Sequence, residues 1–491
     1  MRKPGLLISF IPVVLLMALI ALGSISFGTD ITGGASQAAL LLSSLAVIGI
    51  SMFYLKLPWS SLEAGITDNL VKTGPAIFIL LMIGALTSTW MLSGVVPTLI
   101  FYGMKLISPK IFLLVIFLLT AVVSVLSGSS WTTIGTIGVA MMSAGSMLGI
   151  SEGWLAGAII SGAYFGDKRS PMSDTTNLAS STAGVSLYRH VNYLMYTNMP
   201  AFIIAGVTFT AVGFTFDPAS DLDLSAQFAS LSSAFNISPW LMLIPCLTIF
   251  MIYKKIPPFI TLFASALISG IIAFWAQPGI IAMVCGQERG IMEFFRFLYQ
   301  SLAAEVTLHT GDAMIDTLAS TSGMSGMLDT IWLILCVIVF GGVMEASGMI
   351  ESITSRLVSG LKNAVQLVSA TVFSGIFCNL VLSDQYMSII VPGKMFAETY
   401  RKRGYAPELL SRSLEDSATV TSVLVPWNTC GVVQSTVLGV ATLTYLPYCI
   451  FNLLSPLISI IVAAVGWKIR RTDDNKQPNN NNNNTKSNEN Q

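Results

Sequence analysis

Charge is what this chain has least of. Only 10% of its 491 residues are Asp, Glu, Lys or Arg, 25 of each sign, against about 25% in an ordinary soluble domain. So few charges exclude a water-facing globular protein, and a net charge of zero leaves no basic surface for nucleic acid. Histidine is nearly absent, with His190 and His309 the whole complement. The six cysteines (Cys246, Cys285, Cys336, Cys378, Cys430 and Cys449) show no C-x-x-C spacing. A His/Cys-ligated transition metal is therefore excluded, and the cysteines, mostly in apolar surroundings, read as inert packing residues. No G-x-S-x-G elbow carries a serine, which argues against an intramembrane hydrolase.

What the chain has instead is apolar length. Hydrophobic residues make up 53%, in runs such as Leu6–Leu22, Ala38–Leu57, Gly74–Leu92, Phe259–Trp275 and Leu438–Val465. A spanning helix needs about 20 residues. The pattern predicts an all-α polytopic membrane protein with about ten to thirteen membrane segments. Basic clusters at Arg2-Lys3, Lys254-Lys255, Arg401-Lys-Arg403 and Lys468 with Arg470 and Arg471 flank apolar runs. The positive-inside rule puts them and both termini in the cytoplasm. Leu6–Leu22 exceeds the apolar core of a secretory signal and reads as a retained first helix. The tail from Thr472, with Asn479–Asn484, has nothing to bury and is expected to be disordered.

The chain resembles itself. Leu92-Ser-Gly-Val-Val96 matches Ala346-Ser-Gly-Met-Ile350, a shift of 348 − 94 = 254 at the glycine. Trp131 matches Tyr386, Gly138 matches Gly393 and Pro171 matches Pro426, each shifted by 255. The reading is N-terminal helices over 1–70, a first repeat over 71–215, connecting helices and a polar loop over 216–327, a second repeat over 328–467 and the tail over 468–491. Secondary transporters are commonly built of inverted copies that meet at a midplane site. Lys105 and Lys110 against Arg356 and Lys362 pull the other way, since inversion puts one pair outside.

Each copy contains two polar interruptions. The first is Leu126-Ser-Gly-Ser-Ser-Trp-Thr-Thr133, matched by Leu382-Ser-Asp-Gln-Tyr-Met-Ser388, the pattern of a re-entrant hairpin tip. The second is Gly162-Ala-Tyr-Phe-Gly-Asp-Lys-Arg-Ser-Pro-Met-Ser-Asp-Thr-Thr-Asn-Leu-Ala-Ser180, matched around Pro426-Trp-Asn-Thr-Cys-Gly431. Pro171 and Pro426 predict broken helices, with the carbonyls of Asp167 and Ser422 freed. Ser127, Ser129, Ser130, Asp174, Thr175, Thr176 and Asn177 would form one oxygen-rich site; Ser383, Asp384, Asn428 and Thr429 would form the other. Carboxylates among neutral oxygens suit a hard cation such as Na⁺. A buried carboxylate that must hold either a cation or a proton also supplies proton exchange without any cofactor.

Asp174 is the stronger ligand candidate; Asp167 is either a ligand or a helix-end ion pair with Lys168 and Arg169. Asp416 reads as ligand or rim residue. Glu345, deep in an apolar run, is a secondary proton-relay candidate whose partner lies in the other half. The polar stretch 285–329, with Glu305, His309, Asp312, Asp316 and Ser322-Gly-Met-Ser-Gly326, reads as an entrance lining or an extramembrane connector.

At Gly162–Ala179, Thr310-Gly-Asp312 and Val425-Pro-Trp-Asn-Thr429 the chain resembles the NhaC family of bacterial sodium/proton antiporters over nearly its whole length. Arg169 departs from the residue the family pattern suggests there. The resemblance implies a multi-pass antiporter of the cytoplasmic (inner) membrane, not an enzyme, with paired hairpins and inverted repeats. The partners it implies are the bilayer, Na⁺ and H⁺, with Li⁺ or a small organic acid as alternative cargo and a second copy of the chain as homodimer. Because the family resembles malate/lactate and amino-acid exchangers, an organic-acid or amino-acid transporter is the alternative reading. A passive cation channel is the third, although such a channel has no use for two duplicated broken helices.

Overall fold

The computed structural model describes residues 4–472 apart from 28–33, 107, 216–223, 287, 289, 313–314, 317–318, 359–360 and 362. The described residues are helical, with two isolated β-bridges. Eight helices are long and apolar enough to cross a bilayer, or ten if each sharply bent pair counts as one span. The count falls at or below the expected ten to thirteen because the helices carrying the motifs are too polar to be recognised by apolarity. Arg2-Lys3 and the asparagine run lie outside the described residues.

The first part comprises α1 (Leu6–Phe27), α2 (Ala35–Gly49), α3 (Trp59–Leu92) and α4 (Val95–Leu106). There follow α5 (Pro109–Ser127), α6 (Ser130–Thr133), a π turn (Ile134–Gly138), α7 (Val139–Met147), α8 (Glu152–Arg169), α9 (Asp174–Ala183) and α10 (Leu187–Thr215). The connecting region contains α11 (Leu224–Ala234), α12 (Leu243–Tyr253), α13 (Pro258–Ala276), α14 (Pro278–Cys285) and α15 (Ile291–Ala303). The last part is α16 (Leu328–Ala346), α17 (Met349–Val358), α18 (Ala364–Leu382), α19 (Gln385–Lys402) and α20 (Pro407–Leu414) with a π turn (Glu415–Thr419). It ends with α21 (Thr429–Leu438), α22 (Thr442–Tyr445) and α23 (Ile450–Val465).

The self-resemblance reappears as geometry. The helix starts Pro109, Ser130, Glu152, Asp174 and Leu187 are each 255 residues before the starts Ala364, Gln385, Pro407, Thr429 and Thr442. The left-handed residues Gly128, Gly149 and Gly184 recur as Ser383, Gly404 and Gly439 at the same shift. Hydrogen bonds recur too: Ser124 Oγ donates to the Ala163 carbonyl at 2.6 Å, and Asn379 Nδ2 to the Ala418 carbonyl at 2.7 Å, both shifted by 255.

The α5–α8 pair shows why these residues pack as they do. A Cβ on Gly162 would stand 2.2 Å from the Phe117 carbonyl oxygen, and one on Gly166 would stand 2.3 Å from that of Ala121. Small residues four apart let two backbones meet, which drives helix pairing in lipid. The contacts advance in the same order along both helices, so α5 and α8 run parallel and residues 130–147 return between them as the second arm of a hairpin. In the second half the glycine changes sides: a Cβ on Gly375 would stand 2.6 Å from Ser417 Oγ, at the places of Thr120 and Gly162.

Helix α10 spans the distance between the two hairpin mouths. Near its end, a Cβ on Gly213 would stand 2.2 Å from the Lys110 carbonyl at the start of α5. Near its start, Arg189 pairs with Glu408 at the start of α20.

Residues 468–472, assigned to the tail in the sequence, are held in place. Tyr193 Oη donates to the Lys468 carbonyl at 2.5 Å, Ala406 N to that of Arg470 at 3.1 Å and Thr472 N to that of Gly404 at 3.0 Å. The loop after α19 supplies the backbone partners that composition cannot reveal.

Candidate cation site

Three helix starts converge on one cavity of about 280 Å³. Ser129 caps α6 by accepting from Thr132 N at 3.2 Å, Ser173 caps α9 by accepting from Thr176 N at 3.4 Å, and Asp384 caps α19 by accepting from Met387 N at 2.9 Å. The short polar residues that the sequence shows as interruptions are thus helix caps, placed where the chain must leave and re-enter helix. Gly128, Ser129, Ser130, Asp167, Ser173 to Thr175, Gln385 and Tyr386 line the cavity, with Lys72 and Pro75 of α3.

Asp167 is the acid in the wall. It is 6% exposed, and its Oδ2 accepts from Ser130 N at 3.2 Å and Ser130 Oγ at 2.9 Å. A helix N-terminus stabilises a carboxylate placed against it. The hydrogen bonds from Ser130 leave Asp167 Oδ1 outside that pair. Asp174, the first residue of α9, is exposed and lines both this cavity and a neighbouring chamber. The sequence ranks Asp174 above Asp167 as ligand; in the structure Asp167 is buried in the cavity wall and Asp174 stands exposed at its rim.

The alternative of a helix-end ion pair between Asp167 and its chain neighbours is not met among the described residues. Lys168 Nζ instead reaches Asp416 Oδ1 at 2.8 Å and Ser455 Oγ at 3.1 Å, both sides of the pair fully buried. Adjacent residues on a helix point about 100° apart, so Asp167 and Lys168 serve different partners. Asp416 is accordingly neither a rim residue nor part of the cavity lining. Glu345 is half-buried, and no ion pair forms on it among the described residues.

The prolines act differently from expectation. Ser170 N donates to the Asp167 carbonyl at 3.0 Å, and Val425 N to that of Ser422 at 3.3 Å. Tightening of the last turn closes both carbonyls before the prolines, a common way to satisfy helix ends.

Other candidates divide by partner. Ser127 Oγ lies 3.1 Å from Thr133 Oγ1 and donates to the Ser129 carbonyl at 3.1 Å, so it builds the hairpin turn. Asn177 donates to the carbonyls of Pro171 and Ser173 at 3.2 and 2.8 Å, bracing the break. Thr175 lines the cavity, and its Oγ1 lies 3.0 Å from Ser173 Oγ. Thr176 Oγ1 is buried without a hydrogen-bond partner among the described residues. In the second half, Thr429 N donates to the Ser383 carbonyl at 2.9 Å, and Asn428 caps α21 by accepting from Cys430 N at 3.1 Å. Ser383, Asp384, Asn428 and Thr429 therefore assemble, but only the next residues, Gln385 and Tyr386, reach the cavity.

Sequence reasoning missed Lys72, whose ammonium lies 2.5 Å from Asp68 Oδ2 and 3.8 Å from Met387 Sδ. Its signal was present: an Asp and a Lys four apart, a few residues before Pro75, at the edge of an apolar run.

The model of the Na⁺/H⁺ antiporter family matches residues 162–467. The chain belongs to the Na⁺/H⁺ antiporter family. It is 36% identical over 426 residues to the Na(+)/H(+) antiporter NhaC of Alkalihalophilus pseudofirmus, covering 87% of this chain and 89% of that one. It is 33% identical to NhaC of Bacillus subtilis, covering 87% and 91%. It is also 34% identical to the malate-2H(+)/Na(+)-lactate antiporter of Bacillus subtilis, covering 87% and 88%.

Proposed function

We propose that this chain is a secondary transporter of a bacterial cytoplasmic membrane that exchanges Na⁺ for H⁺, with Asp167 as the group that holds one or the other. The observation that carries the reading is the buried Asp167 carboxylate facing a 280 Å³ cavity among hydroxyls, held by the N-terminus of α6. Ser130, Asp174 and Thr175 complete the oxygen set, and Asp384 with Ser383, Asn428 and Thr429 forms the corresponding cluster of the second repeat. A cation displaces the proton from a shared carboxylate, so loading Na⁺ releases H⁺. An empty, ionised Asp167 is costly to carry through a dry barrier, which makes the exchange obligatory.

The repeats, 71–215 and 328–467, are inverted in this reading. Its support is the placement of the two hairpin mouths at opposite ends of α10, a helix of about 43 Å at 1.5 Å per residue. Basic residues are denser at one mouth: Arg401, Lys402 and Arg403 crowd that before α20, whereas the mouth at the starts of α5 and α8 carries Lys110 and Glu152. Both termini then lie in the cytoplasm.

Lys72 and three helix N-termini in the same wall also suit a carboxylate cargo moving with Na⁺, as the malate/lactate relative's name describes for that protein. Proteoliposomes with a trapped pH dye separate the two. Proton movement on adding Na⁺ alone supports the exchanger; movement that requires malate, lactate or an amino acid supports organic-acid transport. Cation flux without proton movement identifies a channel.

A further inference from the structure

Beyond the central cavity, α3 lines two more chambers, one toward each of its ends. Toward its start, a chamber of about 830 Å³ is lined by Val71, Phe78, Asp174, Ser129 and Lys255. It shares Pro75, Ile79, Gly128, Ser129 and Asp174 with the central cavity, so the two are adjacent. Toward its end, a chamber of about 730 Å³ is lined by Ile83, Thr87 and Met91 of α3 with Ser143, Glu152 and Thr436. That second chamber shares no lining residue with the central cavity.

One close fit lies between them. Ile79 lines the central cavity and Ile83, one turn on, lines the far chamber. Ile83 is buried, and a Cβ on Gly135 would stand 2.8 Å from its Cδ1 and Cγ1. Gly135 lies within the π turn Ile134–Gly138, directly after the α6 start that holds Asp167. Such bulges inside helices are common at functional sites.

The far chamber has a charge preference. Among the described residues, Glu152 is the one charged residue of its lining. Its rim is formed by Ser320 to Gly323 and Gly326, from the stretch 285–329. That stretch carries six carboxylates (Glu288, Glu293, Glu305, Asp312, Asp316 and Asp329) against Arg289 and Arg296. The described lining itself is neutral apart from Glu152, and a recess whose one charge is negative favours cations.

We propose that this chamber is a cation-loading vestibule, separate from the transport site, which collects a hydrated monovalent cation at Glu152 and is closed at its floor by Ile83 seated on Gly135. The inference deepens the exchange reading and rests on it for direction: the central cavity adjoins the Lys255 chamber and shares no lining with the far one.

The test is thiol accessibility in the full-length chain with Cys246→Ser and Cys285→Ser as background. Ser143→Cys, with Thr87→Cys as a second reporter should the first fail to fold, is treated in oriented vesicles with membrane-impermeant methanethiosulfonates, cationic or anionic. The expected result is modification from the face opposite Lys255, about tenfold faster with the cationic reagent. Glu152→Gln is expected to remove most of that preference. Ser129→Cys should react from the Lys255 face only, and Ile83→Ala should open it to the opposite face. Equal rates for the two reagents, a preference that survives Glu152→Gln, or Ser129→Cys unchanged by Ile83→Ala would overturn the proposal. Because labelling reads access, this pattern in a chain that moves no Na⁺ would uphold the vestibule and overturn only the exchange reading.

Discussion

The two halves share a scaffold and differ in where the acid sits. In the first, Ser130 at the hairpin tip donates to Asp167 on the broken helix at 2.9 Å. At the places shifted by 255, Gln385 Nε2 donates to Ser422 Oγ at 3.1 Å, so the same contact persists with a neutral acceptor. The second half carries its acid one residue before that contact, at Asp384, where the first half has Ser129. The hairpin turn differs as well: Gly128 is left-handed without cost, whereas Ser383 holds φ 57, a conformation that costs a side-chain-bearing residue about 1–2 kcal/mol. Packing and hydrogen-bond register are therefore set by the duplicated fold, while a few substitutions decide which half faces the cavity with a charge.

Substitutions in matched positions break or sharpen that contrast. The largest effect is expected from Asp167→Asn, which keeps the shape but cannot trade a proton. Na⁺-driven proton movement in proteoliposomes should disappear while the protein remains monodisperse in detergent. Next comes the buried pair that only the assembled structure creates. Lys168→Met leaves Asp416 uncompensated and is expected to cost about 3–5 kcal/mol, read as a lowered unfolding midpoint; Lys168→Met with Asp416→Leu should restore most of it. Asp384→Asn removes the charge at the second hairpin tip, which does not line the cavity, and should raise the half-saturating Na⁺ concentration about tenfold, roughly 1.4 kcal/mol. Asp174→Asn, at the exposed rim, should raise it about threefold, because an exposed charge contributes little. Ser127→Ala should change transport less than about twofold, since its hydroxyl serves the turn.

The sequence carried the outline: Pro171 and Pro426 sit at the breaks, Ser129, Ser173, Asp384 and Asn428 cap the helices that follow, and the shift of 255 recurs in the helix boundaries. It did not carry the choice between Asp167 and Asp174. Both lie in one polar stretch, and the difference between them, Asp167 buried on α8 under the hairpin tip and Asp174 exposed at the start of α9, emerges only in the assembled fold. Nor did it carry the Lys168–Asp416 pair, whose partners stand 248 residues apart. A hydropathy window cannot pair charges across a duplication.

The most direct measurement is proton release by the purified protein in weakly buffered detergent on addition of Na⁺. The wild-type chain is expected to release protons saturably, the Asp167→Asn chain none, and the Asp384→Asn chain to release them at higher Na⁺. Undiminished release from Asp167→Asn would contradict the assignment of the exchanging carboxylate.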